Sequence, residues 1–198
     1  LSDPTPVVYG GTGAADRCLS RLGRRAEGLE LGIDHADRQH TAHLPLIGDF
    51  NALNALAALG ALIEPGNVPA ALGALGRLQP VPGRMERFTV EGGPVVIVDY
   101  AHTAGALAAA LDALRPHVRG RLWVVFGCGG DRDTGKRPLM GAAAGQRADG
   151  IILTSDNPRS ESPAAILEAV RAGCAGHGDC RVIEDRASAI TAAIEMAG

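Results

Sequence analysis

The chain has 198 residues, of which 46% are hydrophobic, a size and composition that allow one good hydrophobic core or two modest ones. Its 19 basic and 22 acidic side chains leave no net basic field, which gives no reason to expect a nucleic acid or an anionic membrane surface as partner. No apolar run approaches the roughly 20 residues that span a bilayer. The four cysteines lack zinc-type spacing and indicate free thiols in a reducing cytosol. We therefore expect a globular, cytoplasmic protein without a membrane span.

The first part of the chain predicts small strands followed by two helices. Residues 1 to about 47 are rich in Gly, Asp, Arg and His and contain only short apolar pieces, which indicates strands and loops. Apolar residues at helical spacing predict a mostly buried helix over residues 49–63, ended by Pro65-Gly66, and a second helix over residues 69–78. The proline-rich segment 80–83 breaks the chain, so we place a domain boundary between residues 82 and 83.

Beyond residue 83, strands alternate with helices of ten or so residues, the pattern of right-handed βαβ crossovers around a parallel sheet. The expected fold class is therefore α/β. The chain stops just after the last predicted helix, and we expect it to be a fragment of a longer protein. The predicted elements are strands 86–90 and 94–98, helix 104–115, strand 121–126, helix 137–147, strand 150–154, helix 163–173, strand 180–183 and helix 187–197.

Two polar loops are the first candidates for a binding site. Each follows an apolar run and precedes a helical pattern, so we expect both at the carboxyl edge of the sheet, where open α/β folds bind ligands. Their guanidinium, carboxylate and amide groups suit a small ligand that carries both an ammonium and a carboxylate group. In this interpretation Arg132 binds the ligand carboxylate, and its acidic neighbours align it or meet the ammonium; surface ion pairs and an Asx-Pro turn are the structural alternatives. The loops are Gly127–Pro138 and Thr154–Arg159.

The first of these loops also has the spacing of a phosphate-binding loop, with Gly130 and Gly135 separated by four residues and followed by Lys136. Arg137 stands where a Ser or Thr would ligate magnesium, and two aspartates lie where phosphates would bind. We therefore favour amino-acid binding and keep a nucleotide-binding module centred on Lys136 as the alternative.

A second candidate region begins at the end of strand 94–98. Asp99 lies at the carboxyl tip of this strand and His102 just before the next helix, positions that suit a ribose hydroxyl pair and a base or phosphate. Thr103 is equally suited to an N-cap. Arg84, at the predicted boundary, is placed to reach a phosphate or to pair with Glu86.

The histidines do not predict a metal centre. The spacings of His35, His40 and His43 match no helical ligand pair, and no carboxylate or cysteine cluster accompanies them in a recognisable pattern. We expect no metal site in this chain.

Five sequence blocks in series resemble the Mur ligases of peptidoglycan synthesis, and within that family the branch that adds diaminopimelate as the third peptide residue. The blocks together cover residues 48 to about 160. They are Gly48–Ala58, Val81–Glu86, Asp99–Thr103, Phe126–Asp133 and Asp156–Arg159.

The resemblance implies a Rossmann-like C-terminal domain with a mostly parallel sheet over residues 83–198, preceded over residues 1–82 by the end of a central ATPase domain. It implies an ATP-dependent, ADP-forming amide ligase. ATP would phosphorylate the D-glutamate carboxyl of a UDP-N-acetylmuramoyl dipeptide, and the amine of meso-diaminopimelate would attack the acyl phosphate. The implied diaminopimelate-binding residues are Arg132, Asp156, Asn157, Pro158 and Arg159, and the implied ATP-binding residues are Asn51, Asn54, Arg84, Asp99 and His102.

Arg159 is the residue that we expect to discriminate between amino-acid substrates, because L-lysine lacks the distal carboxylate and would leave a guanidinium unpaired. The alternatives are an L-lysine-adding ligase of the same family and a non-catalytic nucleotide- or partner-binding domain. Ala104-Gly105 departs from the Pro-Asp common in the family and removes a carboxylate near the adenosine. The magnesium ligands and the family's own phosphate loop are expected outside this fragment, which alone should be inactive.

Overall fold

A computed structural model of the chain describes residues 9–10, 17–25, 27–35, 37–62, 67–89 and 91–197. The chain divides into two units, Leu1–Val81 and Pro82–Gly198. This division lies one residue before the boundary expected from the proline-rich segment. Residues 1–8 and 11–16, the predicted helix end at Pro65-Gly66 and the strand end at residue 90 lie outside the described residues.

The first unit packs two helices on a small sheet. Strands β1 (Tyr9–Gly10), β2 (Arg17–Arg25), β3 (Gly28–His35) and β4 (Arg38–Leu44) pair in chain order, β1 parallel to β2 and the other pairs antiparallel. Helices α1 (Asp49–Leu62) and α2 (Val68–Leu75) follow, so the prediction of strands and then two helices is confirmed, although α2 ends three residues early.

Alternation along β3 explains how this sheet holds its helices. Leu29, Leu31 and Ile33 are two residues apart and lie on the same face, where they are almost fully buried. These three side chains pack in one core with apolar residues of both helices. The helix residues are Ala52, Leu56 and Leu59 of α1 and Leu72 and Leu75 of α2. The aliphatic core of this unit is therefore built from alternating strand residues and helix residues at a spacing of three or four.

The second unit contains a parallel sheet and a separate antiparallel pair. Strands β5 (Glu86–Thr89) and β6 (Val95–Val98) form a hairpin, because the segment between them is short and contains Gly92-Gly93. Strands β7 (Trp123–Phe126), β8 (Gly150–Leu153) and β9 (Cys180–Val182) pair in parallel in that order. The helices are α3 (Ala104–Leu114), α4 (Lys136–Gly145), α5 (Pro163–Arg171) and α6 (Arg186–Ala197).

Strand β8 lies at the centre of this unit and is buried on both faces, as expected for a strand between helical layers. Ile151 and Leu153 pack with Met140 of α4 and Val170 of α5, whereas Ile152 packs against Ala189 and Ala193 of α6. The α/β prediction with a mostly parallel sheet is confirmed, and the polar loops that follow β7 and β8 share the carboxyl edge of that sheet.

The amino edge of the same sheet is held by ion pairs. Asp149, just before β8, accepts from Nη1 of Arg115 at 2.8 Å and from the backbone N–H of Leu122 at 2.7 Å. These bonds lower the pKa of the Asp149 carboxyl, the Arg115 hydrogen bond being the larger cause and the Leu122 amide the next. Arg121, before β7, pairs with Asp179 before β9 at 2.7 Å. The starts of all three strands are thus linked by charged hydrogen bonds.

Replacing Asp149 by asparagine should lower the free energy of unfolding by about 1–2 kcal/mol at pH 7, since charged hydrogen bonds at a partly exposed carboxylate are lost. The folded-state pKa of Asp149 is depressed, so its contribution is complete above the unfolded pKa and disappears as the pH falls through the folded value. Urea denaturation of the chain and the variant between pH 7 and pH 4 checks this. The difference in free energy of unfolding between the two proteins should narrow toward acid pH, and a constant difference would contradict the assignment. Glu195→Gln, at an exposed carboxylate of α6, serves as the control.

Candidate functional site

The two polar loops predicted from the sequence lie against each other at the carboxyl edge of the parallel sheet. Their backbones approach so closely that two glycines are required. A Cβ on Gly127 would lie 2.1 Å from the carbonyl oxygen of Thr154, and one on Gly130 would lie 1.8 Å from that of Pro158. Because no side chain fits at these distances, glycine at both positions is what allows the loops to touch.

Hydrogen bonds fix the relative position of the two loops. The N–H of Gly130 donates to the carbonyl oxygen of Asn157 at 2.9 Å, and Nη1 of Arg159 donates to the carbonyl oxygen of Gly130. The carboxylate of Asp131 accepts from Oγ of Ser160 at 2.7 Å and from its N–H at 3.3 Å. The Ser160 hydroxyl and then its backbone amide lower the pKa of the Asp131 carboxyl. Each loop is thereby bonded to the other through backbone and side-chain groups.

Both loops contain a residue in the left-handed backbone region. Asp131 and Arg159 each have a φ of 51°, which is uncommon outside glycine. Such conformations persist where the surroundings over-determine them, and they cluster at ligand sites. The contacts between the loops supply this constraint, since each strained residue bonds to the opposite loop.

The other predicted amino-acid-binding residues lie on the same surface. Arg132, Asp156 and Asn157 are exposed, and Pro158 is half-buried. Oδ1 of Asp156 accepts from the N–H of Asn157 at 2.9 Å, which shapes the turn and leaves Oδ2 for a ligand. The structure therefore brings the five predicted residues to one edge.

Of the two roles expected for the acidic neighbours of Arg132, aligning its side chain is not observed, and meeting an ammonium group stays a prediction. Asp131 is bonded to Ser160, and Oδ1 of Asp133 accepts from the N–H of Gly135 at 2.9 Å. The cause is local competition, because short carboxylate side chains bond readily to nearby backbone amides. Neither carboxylate pairs with Arg132 in the described part of the chain, so its guanidinium presents its donors to solvent or to a ligand.

The geometry also argues against a phosphate-binding loop. In such a loop successive backbone N–H groups point at the phosphates. Here the N–H groups of Gly130, Asp131 and Gly135 already donate to Asn157, Glu161 and Asp133, respectively. Nζ of Lys136 donates to the carbonyl oxygen of His102 at 3.2 Å. Three amides of this loop and its lysine are therefore engaged within the protein.

Glu161 joins three parts of the site and was not singled out from the sequence. Its Oε1 accepts from the N–H of Asp131 at 2.6 Å and from Nη2 of Arg137 at 2.7 Å. The Arg137 side chain is only 5% exposed, whereas that of Glu161 is 29% exposed. The Arg137 hydrogen bond, followed by that of the Asp131 amide, lowers the pKa of the Glu161 carboxyl. Glu161 therefore carries a negative charge that the buried guanidinium balances.

The second candidate region forms a separate cluster around Tyr100. The guanidinium carbon of Arg84 lies 4.7 Å from the centroid of the Tyr100 ring, and the His102 ring meets Tyr100 edge-on at 5.1 Å. Lys136 reaches this cluster through the carbonyl oxygen of His102. The exposed aromatic face and the nearby cations suit a nucleotide with its base and phosphates. Tyr100 was not predicted as a site residue from the sequence, although it lies between the predicted ATP-binding residues Asp99 and His102.

Asp99 has a structural role in this cluster. Its Oδ2 accepts from the N–H of Met85 at 3.0 Å, and its Oδ1 accepts from the N–H of Ala101 at 2.9 Å. Glu86 accepts from the N–H of Gly83 at 2.8 Å, so the alternative of an Arg84–Glu86 pair gives way to Arg84 over Tyr100. A carboxylate has capacity for further hydrogen bonds, so ligand contact by Asp99 stays a prediction.

Thr103 caps helix α3, as the structural alternative expected. Its Oγ1 accepts from the N–H of Ala106 at 3.2 Å. The hydroxyl thereby satisfies one of the free amides of the first turn.

Asn51 and Asn54 lie in the first unit, on the first turns of α1. Nδ2 of Asn51 donates to the carbonyl oxygen of Ile47 at 2.8 Å, and Nδ2 of Asn54 donates to Oδ1 of Asn51 at 3.4 Å. Asp49 pairs with Arg24 of β2 and anchors the same turn. The two asparagines are thus neighbours on a fixed helix end.

No metal centre is present among the residues that the structure describes. Within those ranges, no three His, Cys, Asp or Glu side chains are grouped so that they could hold an ion.

Among the described helices, none has the length and apolar character to span a membrane. Cys128, Cys174 and Cys180 are free thiols, and burial raises the pKa of Cys128.

The chain matches known proteins along most of its length. The Mur ligase, glutamate ligase domain matches residues 83–198. A UDP-N-acetylmuramoyl-L-alanyl-D-glutamate–2,6-diaminopimelate ligase of Alkalilimnicola ehrlichii is 51% identical over 173 residues, which are 87% of this chain and 34% of that protein. The chain thus spans about a third of the length of this relative.

Solved structures agree with this match. The structure of a UDP-N-acetylmuramoyl-L-alanyl-D-glutamate–2,6-diaminopimelate ligase aligns with a TM-score of 0.68 at 38% identity, over 93% of this chain and 38% of that one. A folylpolyglutamate synthase of Mycobacterium tuberculosis complexed with ADP aligns with a TM-score of 0.68 at 25% identity, over 92% of this chain and 41% of that one. The domain match over residues 83–198, with which the solved structures agree, shows that the chain belongs to the Mur ligase family.

Proposed function

We propose that the chain is part of an ATP-dependent ligase that adds meso-diaminopimelate to UDP-N-acetylmuramoyl-L-alanyl-D-glutamate in peptidoglycan synthesis. Residues 1–82 would form the end of the central ATP-binding domain, and residues 83–198 most of the C-terminal domain. The observation that carries the proposal is the contact between the two loops, which brings the Arg159 side chain to Gly130, two residues from Arg132.

The chemistry of the two loops fits the distal end of diaminopimelate, which carries an ammonium and a carboxylate group. The guanidinium groups of Arg132 and Arg159 supply donors in the forked geometry that binds a carboxylate. Oδ2 of Asp156 and the amide oxygen of Asn157 are acceptors for the ammonium group. L-Lysine has no carboxylate there and would leave charged donors unpaired, so these residues favour diaminopimelate over lysine.

The reaction would proceed through an acyl phosphate. The γ-phosphoryl group of ATP passes to the D-glutamate carboxylate and ADP leaves; the free amine of diaminopimelate then attacks the acyl carbon, an amide bond forms and phosphate departs. In this chain Arg84, Tyr100 and His102 of the second unit would bind the nucleotide, with Asp99 holding the backbone beneath them. Asn51 and Asn54 of the first unit stay predicted ATP-binding residues. An ADP complex of the synthase described above supports nucleotide use.

Magnesium is expected to accompany ATP, but the described residues do not form a cluster that fits the ion. As the family resemblance implies, we propose that its ligands lie in other parts of the longer protein. We place the reaction in the cytoplasm, where ATP is available and thiols stay reduced.

The proposal is tested by mass analysis of the product after the full-length protein is incubated with ATP, magnesium, the UDP-linked dipeptide and equal amounts of meso-diaminopimelate and L-lysine. A product that carries only diaminopimelate is the expected result. A lysine product would overturn the substrate assignment but keep the ligase activity. The absence of any product would favour a non-catalytic binding domain.

A further inference from the structure

Outside the groups assigned to substrates, Glu161 bonds both to the backbone of Asp131 and to the buried Arg137 side chain. We propose that Glu161 is a positioning residue for the amino-acid substrate, because it holds the loop that carries Arg132 at a fixed place relative to Arg159. This inference rests on the proposed function and adds a residue that contacts neither substrate directly.

Two bonds to one oxygen carry the argument. Oε1 of Glu161 accepts from the N–H of Asp131, the residue just before Arg132, and from Nη2 of Arg137 at the start of α4. Glu161 itself lies two residues after Arg159 on the other loop. The Glu161 carboxylate therefore connects the segment that contains Arg159 to the loop that contains Arg132. It also bonds to the first turn of helix α4 through Arg137.

The strained backbone at Asp131 needs the hydrogen bond to Glu161 to stay in place. Asp131 and Arg159 both have a φ of 51°, a conformation that relaxes unless its surroundings hold it. Asp131 is held by its carboxylate bonds to Ser160 and by its N–H bond to Glu161. Without Glu161 the N–H of the Gly130–Asp131 peptide loses its acceptor, and the direction of the chain into Arg132 is less tightly held.

The pair with Arg137 explains how a carboxylate is tolerated beside a carboxylate-binding surface. A free negative charge would repel the substrate and would compete for Arg132 and Arg159. The guanidinium of Arg137 lies within hydrogen-bonding distance and is almost fully buried, so the two charges balance each other. Glu161 can thus orient the loop without weakening the attraction between the two exposed arginines and an anion.

The test compares steady-state kinetics of the full-length ligase with those of Glu161→Ala and Glu161→Gln. For Glu161→Ala, the KM for meso-diaminopimelate should rise on the order of 10- to 100-fold, because a displacement of about 1 Å at a binding group has effects of this size. The KM for ATP should stay within about twofold, since the Tyr100 cluster keeps its own contacts. Glu161→Gln retains an acceptor oxygen and should restore the KM for diaminopimelate to within about threefold of the wild type.

A merely structural role would give a different pattern. Equal increases in both KM values, or a lower kcat with an unchanged KM for diaminopimelate, would overturn the inference. So would a Gln variant as impaired as the Ala variant. If Glu161→Ala does not fold, Glu161→Asp retracts the carboxylate by one methylene and should show the same selective rise in KM. Glu168→Ala, at an exposed glutamate of α5, is the matched control.

The experiment also separates this inference from the proposed function. If the wild-type enzyme adds diaminopimelate and Glu161→Ala retains a normal KM for it, the role of Glu161 is refuted and the ligase function stands. If the wild-type protein adds no diaminopimelate, both fall.

Discussion

Replacing Arg159 or Arg132 by alanine in the full-length protein should weaken transition-state stabilisation with diaminopimelate by about 2–5 kcal/mol, the usual cost of leaving a desolvated charge partner unpaired. The loss should appear in kcat/KM for diaminopimelate, while ATP binding barely changes. Arg159→Ala also removes a hydrogen bond to Gly130 and should therefore have the larger effect.

Two measurements check this expectation. The first is kcat/KM with diaminopimelate as the varied substrate, and the second is ATP affinity in the absence of amino acid. Arg171→Ala is a suitable control, because Arg171 is exposed at the end of α5 and its nearest carboxylate oxygen is 3.9 Å away. Variants that keep normal use of diaminopimelate but lose ATP affinity would show that the two regions have been assigned to the wrong substrates.

Replacing Gly130 by alanine should separate the two loops. The added methyl group would lie 1.8 Å from the carbonyl oxygen of Pro158 and 2.6 Å from its carbonyl carbon, and backbone atoms cannot rotate away as a flexible side chain does. We expect the free energy of unfolding to fall by about 3 kcal/mol, at the upper end of overpacking effects. We also expect kcat/KM for diaminopimelate to fall by a factor on the order of 100 or more, because displacing a binding group by about 1 Å has effects of this size.

Gly120→Ala is the matched control for this substitution. No atom lies within 4 Å of a Cβ at Gly120, so the free energy of unfolding should change by about 0.5 kcal/mol or less. Denaturant unfolding and steady-state kinetics are measured for both variants. A Gly130→Ala protein with the stability and kinetics of the wild type would contradict the close approach of the two loops.

The secondary structure of the second unit was readable from the sequence because each element has a strong local pattern. Helix α3 was predicted over 104–115 and is observed over Ala104–Leu114, and α6 was predicted over 187–197 and is observed over Arg186–Ala197. Thr103 was recognised as a possible cap for the same reason, since a cap bonds to an amide three residues away. Local spacing was sufficient for these features.

The site was only partly readable. The two loops were recognised because each follows an apolar run, but the partners of their side chains were not. Asp131 bonds to Ser160 and Glu161 to Arg137, pairs that are 29 and 24 residues apart in the chain. Such pairs depend on how strands β7 and β8 align, and no local pattern encodes that register. The same limit explains why Asp131 was wrongly expected to align Arg132.

The ion pairs at the amino edge of the parallel sheet make this edge sensitive to ionic strength. The ion pairs of Arg115 with Asp149 and of Arg121 with Asp179 are partly exposed, so dissolved salt weakens them. The two loops at the opposite edge share a backbone hydrogen bond between Gly130 and Asn157 and an ion pair in which the Arg137 side chain is buried, and salt weakens both of these less. Increasing salt should therefore loosen the starts of the strands before it disturbs the loops. The two edges of this three-stranded sheet accordingly differ in how strongly salt affects the bonds that hold them.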